Sequence, residues 1–325
     1  MTKRIAVFGL GGTIAMTPGS DGLRPSRSVQ ALIDGVAGRW EDVNLVCHEI
    51  CMVPSASIGL DVIDRVARLI DDCAGAGFAG VVVVQGTDTM EETAFALELL
   101  CEPRLPVILT GAMRSADHPG AEGAANLRAA ITTVLAAPAG VFVVMNDELH
   151  AARYVSKRHA TALDAFASVD TGPMARIHEG RLRGPVLALP GLGRWQTASP
   201  AVWPRVALLK IAIGDDATLV DAVTASGFAA CVLDAMGAGH VPAEMVDAIA
   251  TMAGRMPVML CSRTGAGRVC ENTYAYPGSE VDLLSRGVIG GGRLSALKTR
   301  ILLSCALRSA PENRAQALSD VVDQI

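Results

Sequence analysis

The chain alternates short, wholly apolar segments with longer segments in which apolar residues recur every three or four positions. The four valines at 81–84 are typical of a strand buried on both faces of a parallel sheet. A glycine turn ends this run, and apolar periodicity predicts a helix over 91–100. This order places Thr87 and Asp88 at the carboxyl end of a central strand, where open α/β sheets bind their ligands.

The same alternation runs through the first half of the chain. It predicts strands over 5–8, 45–51, 106–109 and 141–145, and helices over 28–37, 61–73 and 122–135. Strand and helix in repeated alternation indicate a parallel sheet with crossover helices. The segment 16–22 is rich in proline, glycine and aspartate, and we expect it to be a flexible loop. The segment 149–169 carries the basic residues Arg153, Lys157, Arg158 and His159.

A segment rich in proline and glycine, 184–204, separates this pattern from a smaller one. The smaller pattern predicts strands over 206–213, 230–234 and 257–261, and helices over 217–226, 243–253 and 296–308, the last being the final element. We therefore predict an α/β protein. Its larger amino-terminal domain, 1–183, carries a parallel sheet of the flavodoxin- or Rossmann-like type; a linker, 184–204, leads to a smaller carboxyl-terminal α/β domain, 205–325.

Composition argues against several classes of function and location. The net charge of −5, without a basic run, gives no support for a nucleic-acid partner. The apolar runs are too short to cross a membrane, and the amino terminus lacks the pattern of a signal peptide. The eight cysteines are dispersed without a CxxC pair, which predicts reduced thiols, no zinc site and a cytoplasmic location.

Two threonines follow predicted strands and are candidates for chemistry. Thr13 follows the glycines at 9–12, whose pattern departs from a dinucleotide-binding fingerprint because Ile14 stands where that motif has a small residue. Thr13 could also be a β-branched residue that starts a turn. Asp88 has an alternative as well, as the N-cap of the helix at 91–100, with Glu91 completing a capping box.

Lys157 is the candidate base. The chain has 28 basic residues but only four lysines, so it uses arginine for most of its positive charge. Arginine cannot release its proton at neutral pH, whereas lysine can. A solvated surface lysine remains the alternative. A threonine and a lysine can serve as nucleophile and base in acyl transfer, and the chain has neither a GxSxG elbow nor an HExxH metal motif.

Three motifs resemble those of the bacterial-type L-asparaginases and glutaminase-asparaginases: GGTIA at 11–15, GTDTMEET at 86–93 and GAMR at 111–114. The resemblance weakens beyond residue 174 but extends to the carboxyl-terminal helix. It implies a two-domain α/β enzyme that hydrolyses the side-chain amide of asparagine to aspartate and ammonia, without a cofactor or metal.

The resemblance also implies roles for residues that match the motifs. Thr13 corresponds to the nucleophile on a mobile loop, and Thr87, Asp88 and Lys157 to the second threonine, the acid and the lysine. Backbone N–H groups near Gly12 and Thr87 would then stabilise the oxyanion.

Further residues correspond to substrate contacts. Ser55 lies where a serine contacts the substrate α-carboxylate, and Ala112 lies where a backbone carbonyl holds the leaving amide. Glu280 falls where an acidic residue reaches into the site of a neighbouring subunit. The resemblance therefore implies a homo-oligomer: an intimate dimer, paired into a tetramer.

The chain departs from the family pattern at three points. The loop after Thr13 lacks the tyrosine found in many members, Ala56 replaces a glutamine that binds the substrate ammonium, and Ala238 replaces an asparagine. These changes concern substrate choice and affinity. Glutaminase-asparaginase activity and amidase activity on another small amide remain open, as do, in another class, a nucleotide-binding Rossmann-like protein and a catalytically silent amino-acid sensor.

Overall fold

The computed structural model describes residues 2–36, 40, 42–102, 104–195, 202–309 and 314–325. The chain forms two compact units, Met1–Arg194 and Trp195–Ile325. The division between the units falls within the segment 184–204, and the end of the predicted helix 28–37 lies outside the described residues.

The first unit is built on an eight-stranded sheet. Its twelve strands are β1 (Lys3–Gly9), β2 (Met16–Gly19), β3 (Gly22–Pro25), β4 (Val43–Glu49), β5 (Gly80–Val84), β6 (Pro106–Thr110), β7 (Gly140–Met145), β8 (Glu148–Ala151), β9 (Ser156–Lys157), β10 (Phe166–Ala167), β11 (Ala175–His178) and β12 (Arg181–Arg183). Its helices are α1 (Val29–Asp34), α2 (Leu60–Gly75), α3 (Met90–Leu100) and α4 (Gly123–Val134). The order of strands in the large sheet is β12-β11-β8-β7-β6-β5-β1-β4.

The central strands are buried on both faces, as their apolar sequences predict. β1, β5 and β6 are parallel neighbours, and Val81–Val84 are at most 1% exposed. Alternate residues of these strands, such as Ile5 and Val82, share one core with α1 and α4, while α2 and α3 pack against the sheet as well. The α/β fold with a parallel-dominated sheet is confirmed.

Antiparallel strands extend one side of this sheet and were not predicted. β7 turns back into β8 through Asn146 and Asp147, whose φ angles of 50° and 59° match the tight turn of a two-residue hairpin. β11 and β12 continue the antiparallel pairing. Lys157 lies in a separate small hairpin formed by β9 and β10.

The prediction that 16–22 is a loop without strands was wrong, while its flexibility stays a prediction. β2 and β3 form a two-stranded antiparallel hairpin. The segment after the hairpin is tied to the Thr13 turn, because the backbone N–H groups of Ser26 and Arg27 both donate to the carbonyl of Ala15, at 2.9 and 3.0 Å.

The second unit carries a smaller, four-stranded parallel sheet in the order β13-β14-β15-β16. The strands are β13 (Val206–Lys210), β14 (Ala230–Ala235), β15 (Val258–Ser262) and β16 (Ile289–Gly290), and the helices are α5 (Thr218–Ala225), α6 (Val246–Ala253), α7 (Glu280–Ser285), α8 (Ala296–Ser309) and α9 (Arg314–Asp323). α8 matches the helix predicted over 296–308, but it is not the final element, because α9 follows it.

Four adjacent strands of the large sheet place the candidate residues at one edge. β6, β5, β1 and β4 are neighbours and run parallel. The segments that follow them carry Ala112, Thr87, Thr13 and Ser55, respectively. Because the carboxyl ends of parallel strands lie at the same edge, the fold brings these four residues together.

Candidate active site

Two glycines bring the segments after β1 and β5 into contact. Gly12 has a φ of 89°, in the left-handed region, and a Cβ on this residue would overlap the backbone nitrogen of Gly86. A Cβ on Gly86 would in turn lie 2.7 Å from Ser55 Oγ. Only glycine at these two positions allows the backbones to approach this closely. The Thr13 and Thr87 turns therefore lie side by side.

Lys157 joins the second threonine to the acid. Its Nζ donates to Thr87 Oγ1 at 2.9 Å and to Asp88 Oδ1 at 2.7 Å. The lysine side chain is only 14% exposed, whereas that of Asp88 is 67% exposed. The ammonium group is thus held at the inner side of the site, while the Asp88 carboxylate keeps a face open to solvent and to a ligand.

The alternative in which Asp88 caps the helix was wrong. α3 begins after a single turn of 3₁₀ helix over Thr87–Thr89, its N-cap is Thr89, and no side chain caps it. Glu91 does not complete a capping box, because its Oε1 accepts the backbone N–H of Lys157 at 3.1 Å. Glu91 is 6% exposed and anchors the hairpin that carries the lysine.

Thr13 begins a short 3₁₀ turn, Thr13–Ala15, and is half-buried. Ile14 beside it packs into the core and is 3% exposed. Among the described residues, the Thr13 hydroxyl has no hydrogen-bond partner. The backbone of Thr13 thus lies in a defined turn, while its hydroxyl is available to a ligand.

Ser55 is built into the turn that carries Thr87. Its Oγ accepts the backbone N–H of Asp88 at 3.2 Å, and its carbonyl accepts Thr89 Oγ1 at 3.0 Å. A hydroxyl that accepts from a backbone N–H still has its own proton to donate. Ser55 can therefore hold the turn and donate to a carboxylate at the same time. Ala56 follows it and is exposed.

The segment that carries Ala112 is held by α4 and by the residue before it. Asn126 Nδ2 donates to the Gly111 carbonyl at 3.0 Å, and its Oδ1 accepts the Asn146 N–H at 3.1 Å. The Glu122 carboxylate accepts the N–H of Met113. Asn126 and Glu122 were missed by sequence reasoning, since neither lies in a recognised motif. Their sequence signal is weak, because Glu122 directly precedes α4 and Asn126 is one of several polar residues within it.

Glu280 lies in the second unit and is fully buried there. Its Oε1 accepts the backbone N–H groups of Thr273 and Tyr274 at 3.0 and 2.8 Å, and its Oε2 lies 3.2 Å from His240 Nε2. Burial raises the pKa of Glu280, but these hydrogen bonds outweigh it and hold the pKa below its ordinary value.

The surroundings of Glu280 bear on its expected role. His240 Nδ1 lies 3.0 Å from the hydroxyl of Tyr276, so a hydrogen-bonded chain leads from the buried carboxylate to an exposed phenol. In this conformation Glu280 presents no atom to a neighbouring molecule. Its contribution to a partner's site stays a prediction, as do the effects of Ala56 and Ala238.

Within the described residues, no group of three or more histidine, cysteine, aspartate or glutamate side chains could hold a metal ion. Likewise, none of the helices in this part of the chain is long and apolar enough to cross a membrane.

Comparison with known proteins agrees with this geometry. Residues 4–184 match the family model described as "Asparaginase, N-terminal", which covers more than half of the chain. The chain belongs to the asparaginase family. It is therefore an enzyme of the amidohydrolase class. Residues 205–317 match a second model of this family, the "Glutaminase/Asparaginase C-terminal domain".

The relatives of this asparaginase-family chain differ in the function that their names state. A probable L-asparaginase of Deinococcus radiodurans is 33% identical over 92% of this chain and 91% of its own length. One subunit of the glutamyl-tRNA(Gln) amidotransferase of Aeropyrum pernix is 30% identical over 95% of this chain and 76% of its own length. The crystal structure of a probable cytoplasmic L-asparaginase of Campylobacter jejuni superposes with a TM-score of 0.88 at 28% identity and covers 99% of both chains.

Proposed function

We propose that the protein hydrolyses the side-chain amide of L-asparagine to aspartate and ammonia through an acyl intermediate on Thr13. The observation that carries this proposal is the position of Lys157 Nζ, which is within hydrogen-bonding distance of both Thr87 Oγ1 and Asp88 Oδ1. Gly12 and Gly86, which precede Thr13 and Thr87, are in close contact. The turn that carries the free hydroxyl of Thr13 therefore adjoins the turn that carries Thr87 and Asp88.

In the first step, Thr13 Oγ attacks the amide carbon and a tetrahedral oxyanion forms. The backbone N–H groups of Gly12 and Thr87 stabilise this oxyanion, and the carbonyl of Ala112 holds the amide nitrogen. The nitrogen takes up a proton and leaves as ammonia, and an ester of Thr13 remains. The hydroxyl proton of Thr13 is the proton that the leaving nitrogen gains.

In the second step, water hydrolyses the Thr13 ester. Thr87 and Lys157 together accept a proton from this water, which requires Lys157 to have released its own proton beforehand. Asp88 lies 2.7 Å from the same nitrogen and holds the lysine in place. Aspartate then leaves, and Thr13 regains its proton.

Ser55 and Asp88 account for recognition of an amino acid. The Ser55 hydroxyl donates to the α-carboxylate, and the open face of Asp88 accepts from the α-ammonium. Ala56 contributes no hydrogen bond to the ammonium, so the site has fewer anchors than the family pattern provides. We therefore expect the protein to prefer asparagine to glutamine as a substrate, because the longer glutamine depends on the same few hydrogen bonds.

Steady-state release of ammonia tests this proposal. L-Asparagine should give the highest kcat/KM, followed by L-glutamine, with D-asparagine as the stereochemical control. Release from none of these amides by the pure protein would contradict the proposal. The similarity to an amidotransferase component favours a second candidate, ammonia supply to a partner protein, and release from free asparagine by this chain alone would speak against it.

The resemblance also supports a homo-oligomer: an intimate dimer, paired into a tetramer with closed symmetry. In that assembly the segment around Glu280 would complete the site of a neighbouring chain. Light scattering at the protein concentration of the assay tests this part. A fully active monomer would contradict it.

A further inference from the structure

A pocket of about 250 Å³ in the first unit is lined by residues from two segments of the candidate active site. Ile14, from the Thr13 turn, forms part of its wall, and Arg114, from the GAMR segment, forms another part. Most of the other wall residues are apolar: Leu32 lies in α1, Val36 just after it and Leu127 in α4. Arg27 adds a second guanidinium to the wall.

The two arginines differ in whether a carboxylate neutralises their charge. Arg27 Nη2 pairs with Asp117 Oδ1 at 2.7 Å. Arg114 donates one N–H to the Gly120 carbonyl at 3.0 Å, and in the part of the chain that the structure describes no carboxylate forms an ion pair with it. A guanidinium has five N–H donors in a fork that fits a carboxylate. Arg114 therefore keeps donors and an unneutralised charge beside an apolar wall.

We propose that this pocket binds a small aliphatic monocarboxylate and that its occupation raises the activity of the neighbouring site. The unneutralised guanidinium selects an anion, and the apolar wall selects a ligand with a hydrocarbon part. The volume lies below that of pockets for drug-sized ligands, which favours a short chain. The first half of the proposal is independent of the proposed function; the second half rests on it.

The contacts around the pocket connect it to the active site. Ile14 adjoins Thr13 in the chain, and the backbone N–H of Arg27 donates to the carbonyl of Ala15 in the same turn at 3.0 Å. A Cβ on Gly123, the first residue of α4, would lie 2.8 Å from Ile14 Cγ1, so the helix packs closely against this side chain. A ligand that binds Arg114 and fills the space behind Ile14 should reduce the number of conformations open to the Thr13 turn.

Hexanoate is the probe, hexanamide is its uncharged counterpart, and inorganic phosphate is an anion without a hydrocarbon part. Binding to the full chain is followed by calorimetry with aspartate at saturation, so that the substrate site is filled. Arg114→Gln removes the guanidinium that pairs with no carboxylate among the described residues, while Arg27 stays paired with Asp117. Arg24→Gln is the matched control, because Arg24 is an exposed arginine that pairs with Asp21 outside the pocket.

We expect hexanoate to bind the wild type and R24Q alike, and to bind R114Q at least about tenfold more weakly, since a hydrogen bond to a charged group is lost. Hexanamide and phosphate should bind more weakly than hexanoate. Equal binding of hexanoate to R114Q and to the wild type would overturn the proposed site, and so would equal binding of phosphate.

Activity is measured separately, as ammonia release at saturating asparagine, each variant relative to its own rate without hexanoate. The wild type and R24Q should gain about twofold or more in kcat, at the hexanoate concentrations that fill the pocket in calorimetry. Unchanged or lowered kcat despite binding would overturn the coupling. Binding by a protein that hydrolyses no amide would leave the pocket standing and contradict the proposed function instead.

Discussion

Lys157 Nζ lies 2.9 Å from Thr87 Oγ1, although 70 positions separate the two residues in the chain. The strand hairpin β9–β10 positions the lysine, and the Glu91 carboxylate holds its backbone N–H. The backbone of Lys157 is therefore held by groups other than the two side chains that contact its Nζ. This arrangement is what a base needs, because a proton transfer depends on a short and stable donor–acceptor distance.

Lys157→Arg tests whether this nitrogen moves a proton. Arginine keeps the positive charge but stays protonated at any working pH. Because loss of a general base costs about 10²- to 10⁴-fold, we expect the variant to fold and bind aspartate but to lose at least about a hundredfold in kcat. Lys210→Arg is the control, since Lys210 is 66% exposed and pairs with Asp234 in the second unit. A K157R enzyme within a few-fold of wild type would reduce Lys157 to an electrostatic role.

Gly12→Ala tests the contact between the two threonine turns. The new Cβ would overlap the nitrogen of Gly86 and push the turns apart. A displacement of about 1 Å can cost on the order of 10²-fold in rate, and we expect a loss of this size in kcat/KM. Gly77→Ala is the matched control, because Gly77 has a φ of 73° but nothing within 4 Å of a Cβ. It should lose stability without losing specific activity; equal activity of the two variants would contradict the close approach.

Ala56→Gln tests the weakened recognition of the substrate ammonium. A hydrogen bond to a charged group contributes about 1.5–3 kcal/mol. The variant should therefore lower the KM for asparagine by roughly tenfold, while kcat changes little. Ala56→Leu adds similar bulk without a polar group, and it should not lower KM. A wild-type KM for glutamine in the micromolar range would show that other groups have replaced the missing anchor.

His150 makes stability depend on pH. Burial, and then the nearby Arg176, lowers its pKa from 6.5 to about 4, although Glu148 Oε2 lies 3.5 Å from its Nε2. Between these values the unfolded chain binds a proton that the folded chain does not, so stability falls as the pH falls from 6.5 towards 4. The full contribution is on the order of 3 kcal/mol. It is present above pH 6.5 and is lost on acidification.

His150→Gln should flatten this part of the stability profile, measured by urea unfolding at several pH values. His178→Gln is the control, because His178 lies exposed on the neighbouring strand β11. Parallel profiles for H150Q and the wild type would show that His150 is not buried in its neutral form.

Much of the fold followed from local patterns. The valines of β5 and the apolar periodicity of α2 specify buried elements wherever they stand, and these predictions hold to within a few residues. The β2–β3 hairpin and β11–β12 were missed because their residues alternate weakly and their pairing depends on the rest of the unit. α9 was missed for a similar reason, since its pattern of Leu318, Val321 and Val322 is short.

The positions of candidate residues could be predicted where a polar side chain directly follows a buried strand. Thr13, Thr87 and Asp88 follow buried strands and lie within the motifs GGTIA and GTDTMEET. The resemblance placed Asp88 and Lys157 in one site. The partner of Glu91 was not predictable, because a capping box and a contact with a distant backbone N–H use the same residue in sequence. Asn126 and Glu122 act on the backbone of another segment, and such contacts leave no local pattern.

The acyl intermediate on Thr13 is the central claim, and chemical trapping tests it most directly. The protein is treated with a diazo-ketone analogue of asparagine and digested, and the labelled peptide is identified by mass spectrometry. Thr13→Ala serves as the control; it should fold normally, take up no label and lose activity by orders of magnitude. Label on Thr13 is the predicted result. Label on Thr87 alone, or an active T13A enzyme, would contradict it.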